Sequence, residues 1–380
     1  MNKRYSSGGF AALGMFALVL FSACHSASSS SDDVTGNWTA VGTVGFSAGT
    51  ANYLQLVFDS SGTPYLAYQD ETNGFKASVM KFTGTSWGYV GTAGFSGGTA
   101  NNVSLAFDSS ETPYVAFEDV ANSYKASVMK FSNSTWGYVG SAGFSGGTSG
   151  FTSLAFDSSD APYVAFEDTA NTSKASVMKF SSSTWGYVGS SGFSPNSVQS
   201  TSLVLDANDT PFVAYEDYAN DGKGTVEKFN GTSWAYVGTA GFTAGEARGT
   251  ALVLNASGTP YVAYRDVAND DKISVMTFDG TSWKQVGAAG FSSGAITDYS
   301  PGFVIDSSGA LYVAYADGGH SNKITVMKFN GSKWVSVGSA GFSADIVYYA
   351  QLALSPGGTL YVAYSDGGNG GRATVMKFTP

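Results

Sequence analysis

Apolar and polar residues alternate in short runs, and the same runs return at a fixed interval along most of the chain. In the copy that begins WGYVGTAGFSGGTANNVSLAFDSSETPYVAFEDVANSYKASVMKF at Trp87, the pattern predicts four short strands. Residues 103–108 (VSLAFD) alternate small and large as a pleated surface requires. After a turn at 108–112, Pro113 opens a second strand, 113–118 (PYVAFE), at the position where a strand tolerates proline. In the preceding copy that turn reads DSSGT, with Gly62 where a positive φ is expected. The third strand is 125–131 (KASVMKF). The fourth, 136–139, follows a tight turn that elsewhere reads Asn230-Gly231, Asp279-Gly280 or Asn330-Gly331.

The period is marked by Trp38, Trp87, Trp136, Trp185, Trp234, Trp283 and Trp334, spaced by 49 five times and then by 51. Such a period means a solenoid, a propeller or an array. The second strand is apolar on both faces, as in 261–264 (YVAY), so its sheet packs between two others. Sheets stacked in that way around an axis make a propeller. No copy has the polar outer face of a solenoid cap. The two ends complement each other: the last copy stops at 377–380, before its fourth strand, and residues 35–42 supply a fourth strand without the other three. A ring closed by one N-terminal and three C-terminal strands has no free edge. The expected fold is therefore all-β: a seven-bladed β-propeller of four-stranded antiparallel blades.

The phrase D-S-S-G-x-P-Y-V-A-Y is similar to the repeats of bacterial extracellular seven-bladed propeller proteins, over residues 35–380. That resemblance implies a fold and no chemistry. Kelch repeats have a similar length, but their Gly-Gly after the second strand occurs here only at 318–319 and 367–368. The sialidase Asp-box resembles the Asp turn but ends in Trp, where this chain has Tyr or Phe.

Lys3 and Arg4 precede an apolar run at 10–21 (FAALGMFALVLF), too short for a comfortable membrane span and of signal-peptide length. Leu20-Phe21-Ser22-Ala23-Cys24 resembles the lipobox of bacterial lipoproteins, with Phe21 in place of the usual aliphatic residue. The resemblance implies a signal peptide at 1–23, a lipidated Cys24, a Ser-rich tether at 24–34 and a propeller at 35–380. It also implies an exported protein held to the bacterial cell envelope, at the outer membrane of a Gram-negative cell because no aspartate follows the cysteine. The alternative is a simple secreted protein whose cysteine is incidental.

Composition narrows the chemistry. Hydrophobic residues at 43% and charged residues at 13% describe a packed chain, and 49 glycines suit many turns. The formal charge of −10 becomes −12 once Lys3 and Arg4 are removed, which argues against nucleic acid. One cysteine (Cys24) and two histidines (His25, His320) exclude an internal disulfide and leave almost nothing for zinc. No cofactor or metal is expected, membrane contact runs through the lipid alone, and the expected state is a monomer.

The crossovers between copies and the second-to-third loops should share one rim. The copies agree at the other rim and diverge at this one, just after each Gly-Phe. Rigid scaffolds carry function on such loops, and Tyr with polar neighbours suits sugar or peptide surfaces. The candidate ligand-binding residues are Tyr53, Asn102, Glu246, Arg248, Arg265, Asp298, Tyr299, Tyr348 and Tyr349, set against plain drift of solvated loops. A second constellation repeats as Asp119 with Lys125, Asp168 with Lys174, Asp217 with Lys223, Asp266 with Lys272, Asp317 with Lys323 and Asp366 with Arg372. A cross-strand ion pair or a turn cap is the plain expectation. Calcium at 266–271 (DVANDD) would lack the EF-hand spacing.

No catalytic residue stands out. His320 has no obvious Ser partner, and the three arginines of the mature chain, Arg248, Arg265 and Arg372, come from non-adjacent blades. The expected function is a non-catalytic binding or scaffold propeller with a glycan or surface protein at the variable rim. The alternatives are a glycan-active hydrolase or lyase on the same rim, centred on Glu246, Arg248, Arg265 and Asp298, and a purely structural envelope component.

Overall fold

The computed structural model describes residues 32–297 and 300–380. The leader, Cys24, and the pair Asp298-Tyr299 lie outside the described residues. Asp33–Pro380 form one compact unit. Blade 2 shows the plan: Ala100–Phe107, Pro113–Asp119, Lys125–Ser132 and Thr135–Tyr138 pair antiparallel in sequence order. Seven such sheets stand in a ring, with the first strand of each beside the first strand of the next, around a central channel. In blade 7, Val347–Leu354, Leu360–Asp366 and Arg372–Thr379 are completed by Asn37–Ala40, in register from Asn37 opposite Thr379 to Ala40 opposite Met376. The chain is already bonded to the ring at Val34, which bridges Val337 on blade 6. Among the described residues no helix is long and apolar enough to cross a membrane.

The core is divided into layers between blades. One layer joins Ala67 and Val79 of blade 1 to Val103, Leu105, Val115 and Phe117 of blade 2. Each large side chain buried there contributes about 1.5–3 kcal/mol. The period tryptophans lock neighbours together. Trp136 stacks on Phe95 of the preceding crossover (4.0 Å, 9°) and donates Nε1–H to the Val90 carbonyl (2.7 Å). Gly91 sits beneath this pair at φ +74°, where a Cβ would fall 2.7 Å from the Phe131 ring, so only glycine fits. Across the closure Trp38 repeats the arrangement on Phe342 (4.7 Å, 3°) and the Val337 carbonyl (2.8 Å).

The recurring Asp–Lys pairs do face each other in register, as Asp119 opposite Lys125. The ion pair does not form. Asp119 is fully buried, and its Oδ2 accepts from Ser127 Oγ (2.8 Å), Asn122 Nδ2 (2.8 Å) and Tyr138 OH (3.1 Å). The aspartate ties the second, third and fourth strands together, and in blades 3, 4, 6 and 7 its equivalent also caps the one-turn 3-10 helix that follows, as Asp168 does by accepting from Ala170 N–H (3.1 Å). The turn-cap reading holds in those four blades, and the half-buried lysine stays unpaired with the aspartate because an inward carboxylate finds better donors among neighbouring hydroxyls and amides.

One blade departs from this internal code. Tyr68 and Tyr315 direct their hydroxyls to Met80 and Met327, but Tyr215 donates to a buried glutamate, Glu227, at 2.5 Å. Burial pushes the Glu227 carboxyl up to about 7, with the Asp217 charge adding to it and the Tyr215 bond opposing. The folded protein therefore holds a proton there that the unfolded chain releases above its ordinary value of 4.5. The favourable contribution is complete below that value and lost as pH rises through about 7. Glu227→Met should be the more stable form at high pH. Its advantage over wild type should widen by about 2–3 kcal/mol between about pH 5 and pH 8, read from urea unfolding at both.

Candidate functional site

Crossovers and second-to-third loops do share one rim, here the upper rim. The crossover into blade 2 is bonded to the loops of both its neighbours, through Ala100 N–H to the Phe75 carbonyl (2.9 Å) and Val120 N–H to the Thr99 carbonyl (3.1 Å). The opposite rim carries the Asp turns, whose side chains also clamp blades. Asp160 accepts from Ser109 N–H (2.7 Å) and Oγ (2.6 Å) of the previous blade.

The first strands begin about three residues earlier than their alternation predicts, at Ala100 rather than 103. The reason is a bulge. Asn101 faces Glu118, but Ser104 faces Ala116, so one extra residue is inserted and the period-two pattern breaks. The inserted Asn102 has φ +49°, and its equivalents Tyr53, Phe151, Ser200 and Tyr349 lie at φ +50° to +54°. With these residues the bulges line the mouth of the channel, a cavity of about 1020 Å³. Aromatic residues in this left-handed region are strained by roughly 1–2 kcal/mol each. Phe75 and Tyr124, in the second-to-third loops of blades 1 and 2, are held the same way at φ +60°.

The collar of the channel has two halves. Thr152 donates Oγ1–H to the Asn102 carbonyl, Thr250 to that of Ser200 (2.6 Å), and Ser300 to that of Gly249 (3.0 Å). At the corresponding positions blades 1, 2 and 7 carry Leu54, Val103 and Ala350. Beside this apolar half runs a chain of amides in one direction. Asn52 donates to Gln69 (3.0 Å), Gln69 to Asn101 (2.8 Å) and Asn101 to Glu118 (3.0 Å), which also accepts from Asn102 (3.2 Å). Burial raises the Glu118 carboxyl above its ordinary range, against the two asparagine bonds and with the help of the Glu167 charge. Burial raises Glu167 likewise.

Of the sequence-predicted residues, Tyr53, Asn102 and Tyr349 meet at the channel mouth, with the Tyr53 and Tyr349 rings 5.3 Å apart and tilted by 51°. Tyr348 is exposed on the same rim. Glu246, Arg248 and Arg265 come together in blade 5 as a separate, charge-compensated group. Arg248 grips Glu246 with Nε (2.8 Å) and Nη2 (2.9 Å), and Arg265 donates to Asp271 (2.8 Å). Next to them Glu216 is buried and pushed up to about 7, by burial first, while Tyr218 donates to it (2.9 Å) and Glu246 adds repulsion. Asp298, Tyr299 and the lipidation residue Cys24 are outside the described residues.

Sequence reasoning missed Glu118, Glu167 and Glu216. Each precedes the buried aspartate, at a position that reads Gln, Glu, Glu, Glu, Arg, Ala and Ser in successive blades. That one variable letter inside a repeated word was the available signal. It also missed a partner for His320. Ser293 Oγ lies 3.2 Å from His320 Nδ1, but the same Nδ1 meets Asp317 Oδ2 (2.8 Å), and Ser293 donates to Asp317 Oδ1 (2.6 Å). A catalytic triad needs serine and aspartate on opposite ring nitrogens. His320 instead stands where other blades have an asparagine on the buried aspartate. Asp266 is likewise committed to Ser274 (2.6 Å) and Asn269 (2.8 Å). Among the described residues no three His, Cys, Asp or Glu side chains gather as a metal site.

These features define a propeller with a strained, partly acidic channel mouth. No protein-family model matches the chain, and no curated protein matches it in sequence. Solved structures resemble it in fold. A polysaccharide lyase of family PL25, an ulvan lyase bound to -[GlcA(1-4)Rha3S]-, is 11% identical with a TM-score of 0.58, over 90% of this chain and 95% of that one. AofleA from Arthrobotrys oligospora is 11% identical with a TM-score of 0.51, over 82% and 93%. The extracellular domain of the hybrid two-component system protein BT4673 from B. thetaiotaomicron is 10% identical with a TM-score of 0.59, over 90% of this chain and 39% of that one. At such identities the likeness shows a common fold alone.

Proposed function

We propose that this protein is a non-catalytic binding propeller that holds a glycan or a protein surface at its upper rim. One observation carries the reading: the positions at which the seven copies disagree lie on one rim, and Tyr53, Asn102, Phe151, Ser200 and Tyr349 among them line one cavity. Drifting loops have no reason to strain aromatic residues there. The ulvan lyase, as a polysaccharide-handling protein of similar fold, supports a glycan as the first class to try. The test is a screen of residues 33–380 against glycans and surface proteins. A binder lost on upper-rim substitution supports the reading, and a binder indifferent to every such substitution ends it.

The protein is also proposed to be exported, monomeric and anchored by lipid on Cys24, with no nucleic-acid partner. Cys24→Ser should abolish incorporation of labelled palmitate and move the protein from the membrane pellet to the soluble fraction. Retention in the pellet would contradict the anchor.

One observation favours a second reading. Glu216, raised to about 7 beside Glu246, has the protonation behaviour of a general acid. A glycan-active enzyme on this basis would release reducing ends from a polysaccharide panel and lose that activity in Glu216→Gln. The binding reading expects no release.

A further inference from the structure

We propose that the upper rim over blades 7, 1, 2 and 3 is a single site for a neutral saccharide, with aromatic rings as its platforms and Glu118 as its hydroxyl acceptor. This rests on the binding reading of the rim and narrows it to one sector and one ligand class.

Three observations converge on that sector. Among the described residues, 22 residues other than glycine have positive φ, and five of them are aromatic: Tyr53, Phe75, Tyr124, Phe151 and Tyr349. All five lie on the upper rim, within four consecutive blades. The backbone itself does not ask for them, because other blades satisfy the same two positions with Asn102, Ser200, Ser173, Gly222 or Gly371. Phe75 and Tyr124 are also among the exposed large hydrophobics, at 42% and 48%. Large apolar side chains kept both strained and wet, where small polar ones would serve the fold, mark a surface that meets something.

Charge then selects the ligand. Among the described residues the cavity lining holds two carboxylates, Glu118 and Glu167, and no Lys or Arg. The guanidinium groups of Arg248 and Arg265 are in blade 5, already held by Glu246 and Asp271. Inside the cavity a uronate or sulfate would therefore meet these carboxylates, because Lys76, Lys125, Lys174 and Arg372 stand at the starts of the third strands, outside that lining. An ammonium ion needs one compact cage, whereas these rings are spread over four blades and the two carboxylates stand among amides and hydroxyls. Sugar hydroxyls both donate and accept, and sugar C–H faces lie flat on aromatic rings. That combination suits an extended neutral saccharide. Glu118, fixed from behind by Asn101 and Asn102, is an oriented acceptor for a hydroxyl pair.

The experiment is titration calorimetry of residues 33–380, whose ring closes with its own residues. The probes are neutral cello-, xylo-, manno- and malto-oligosaccharides, with oligogalacturonate and choline beside them. The expected result is one site per chain for a neutral probe. Phe75→Gly combined with Tyr124→Gly should weaken it at least tenfold while the melting temperature holds or rises, because glycine relieves both strained positions. Glu118→Gln should weaken it severalfold. Binding of oligogalacturonate or choline in place of every neutral probe overturns the proposal, as does a stoichiometry near one site per blade. A protein captured at the rim with no saccharide bound ends the saccharide assignment and leaves the rim reading standing. A ligand insensitive to every upper-rim substitution ends both.

Discussion

Trp38→Ala is expected to cost about 3–5 kcal/mol in urea unfolding, the range for a large aromatic removed from a packed site. It should also shift the protein toward larger species than wild type by light scattering. Trp38 stacks on Phe342, packs at 5.3 Å against Phe378 and donates to the Val337 carbonyl, so it touches both blades that meet at the closure. Trp185 makes the same set of contacts, to Phe144 (4.0 Å), Phe180 (5.5 Å) and the Val139 carbonyl (2.7 Å). Its strand, however, is tied to the rest of its blade by a hairpin turn. Asn37–Ala40 has no such tie to Arg372–Thr379 and is held by side-chain packing and ladder bonds alone. Once it leaves, blade 7 presents an unpaired strand edge, which other copies can add to. Trp185→Ala should lose similar stability and keep the wild-type size. Equal oligomerisation by both variants would contradict the closure argument.

Asp168→Ala is expected to cost on the order of 3 kcal/mol, because Ser176, Asn171 and Tyr187 all lose a buried, charged acceptor. Lys174→Ala, its partner in the register, should change stability by less than about 0.5 kcal/mol. An ion pair would instead make the two losses comparable. Urea midpoints of the two variants decide between a carboxylate that organises a blade from inside and one that faces a lysine outside.

The architecture was legible because its causes are periodic. The tryptophans, the doubly apolar second strand and the split final hairpin each follow from a packing need met seven times. What stayed hidden breaks the period locally. The bulge at Asn102 inserts one residue and defeats the alternation from which strand starts are read. The Asp119–Lys125 pair follows the register correctly, but sequence does not say that the aspartate faces inward to Ser127 and Asn122. Glu118 was overlooked because the invariant neighbour Asp119 drew attention to the letter that repeats. The candidate site was therefore half legible. Tyr53, Asn102 and Tyr349 stood out by variation between copies. The strain on Phe75, Tyr124 and Phe151 needs backbone angles, and the self-compensation of Arg248 and Arg265 needs side-chain geometry.

The account rests on one division: repeated residues hold the ring, and the disagreeing residues of the upper rim meet the ligand. Hydrogen–deuterium exchange with and without a ligand found in the screen tests it most directly. Added protection should fall on residues 51–55, 100–104 and 149–153 and on the loops at 71–75 and 120–124, with the Asp turns at 108–112 and 157–161 unchanged. Protection centred on those Asp turns, or spread evenly over the outermost strands, would contradict it.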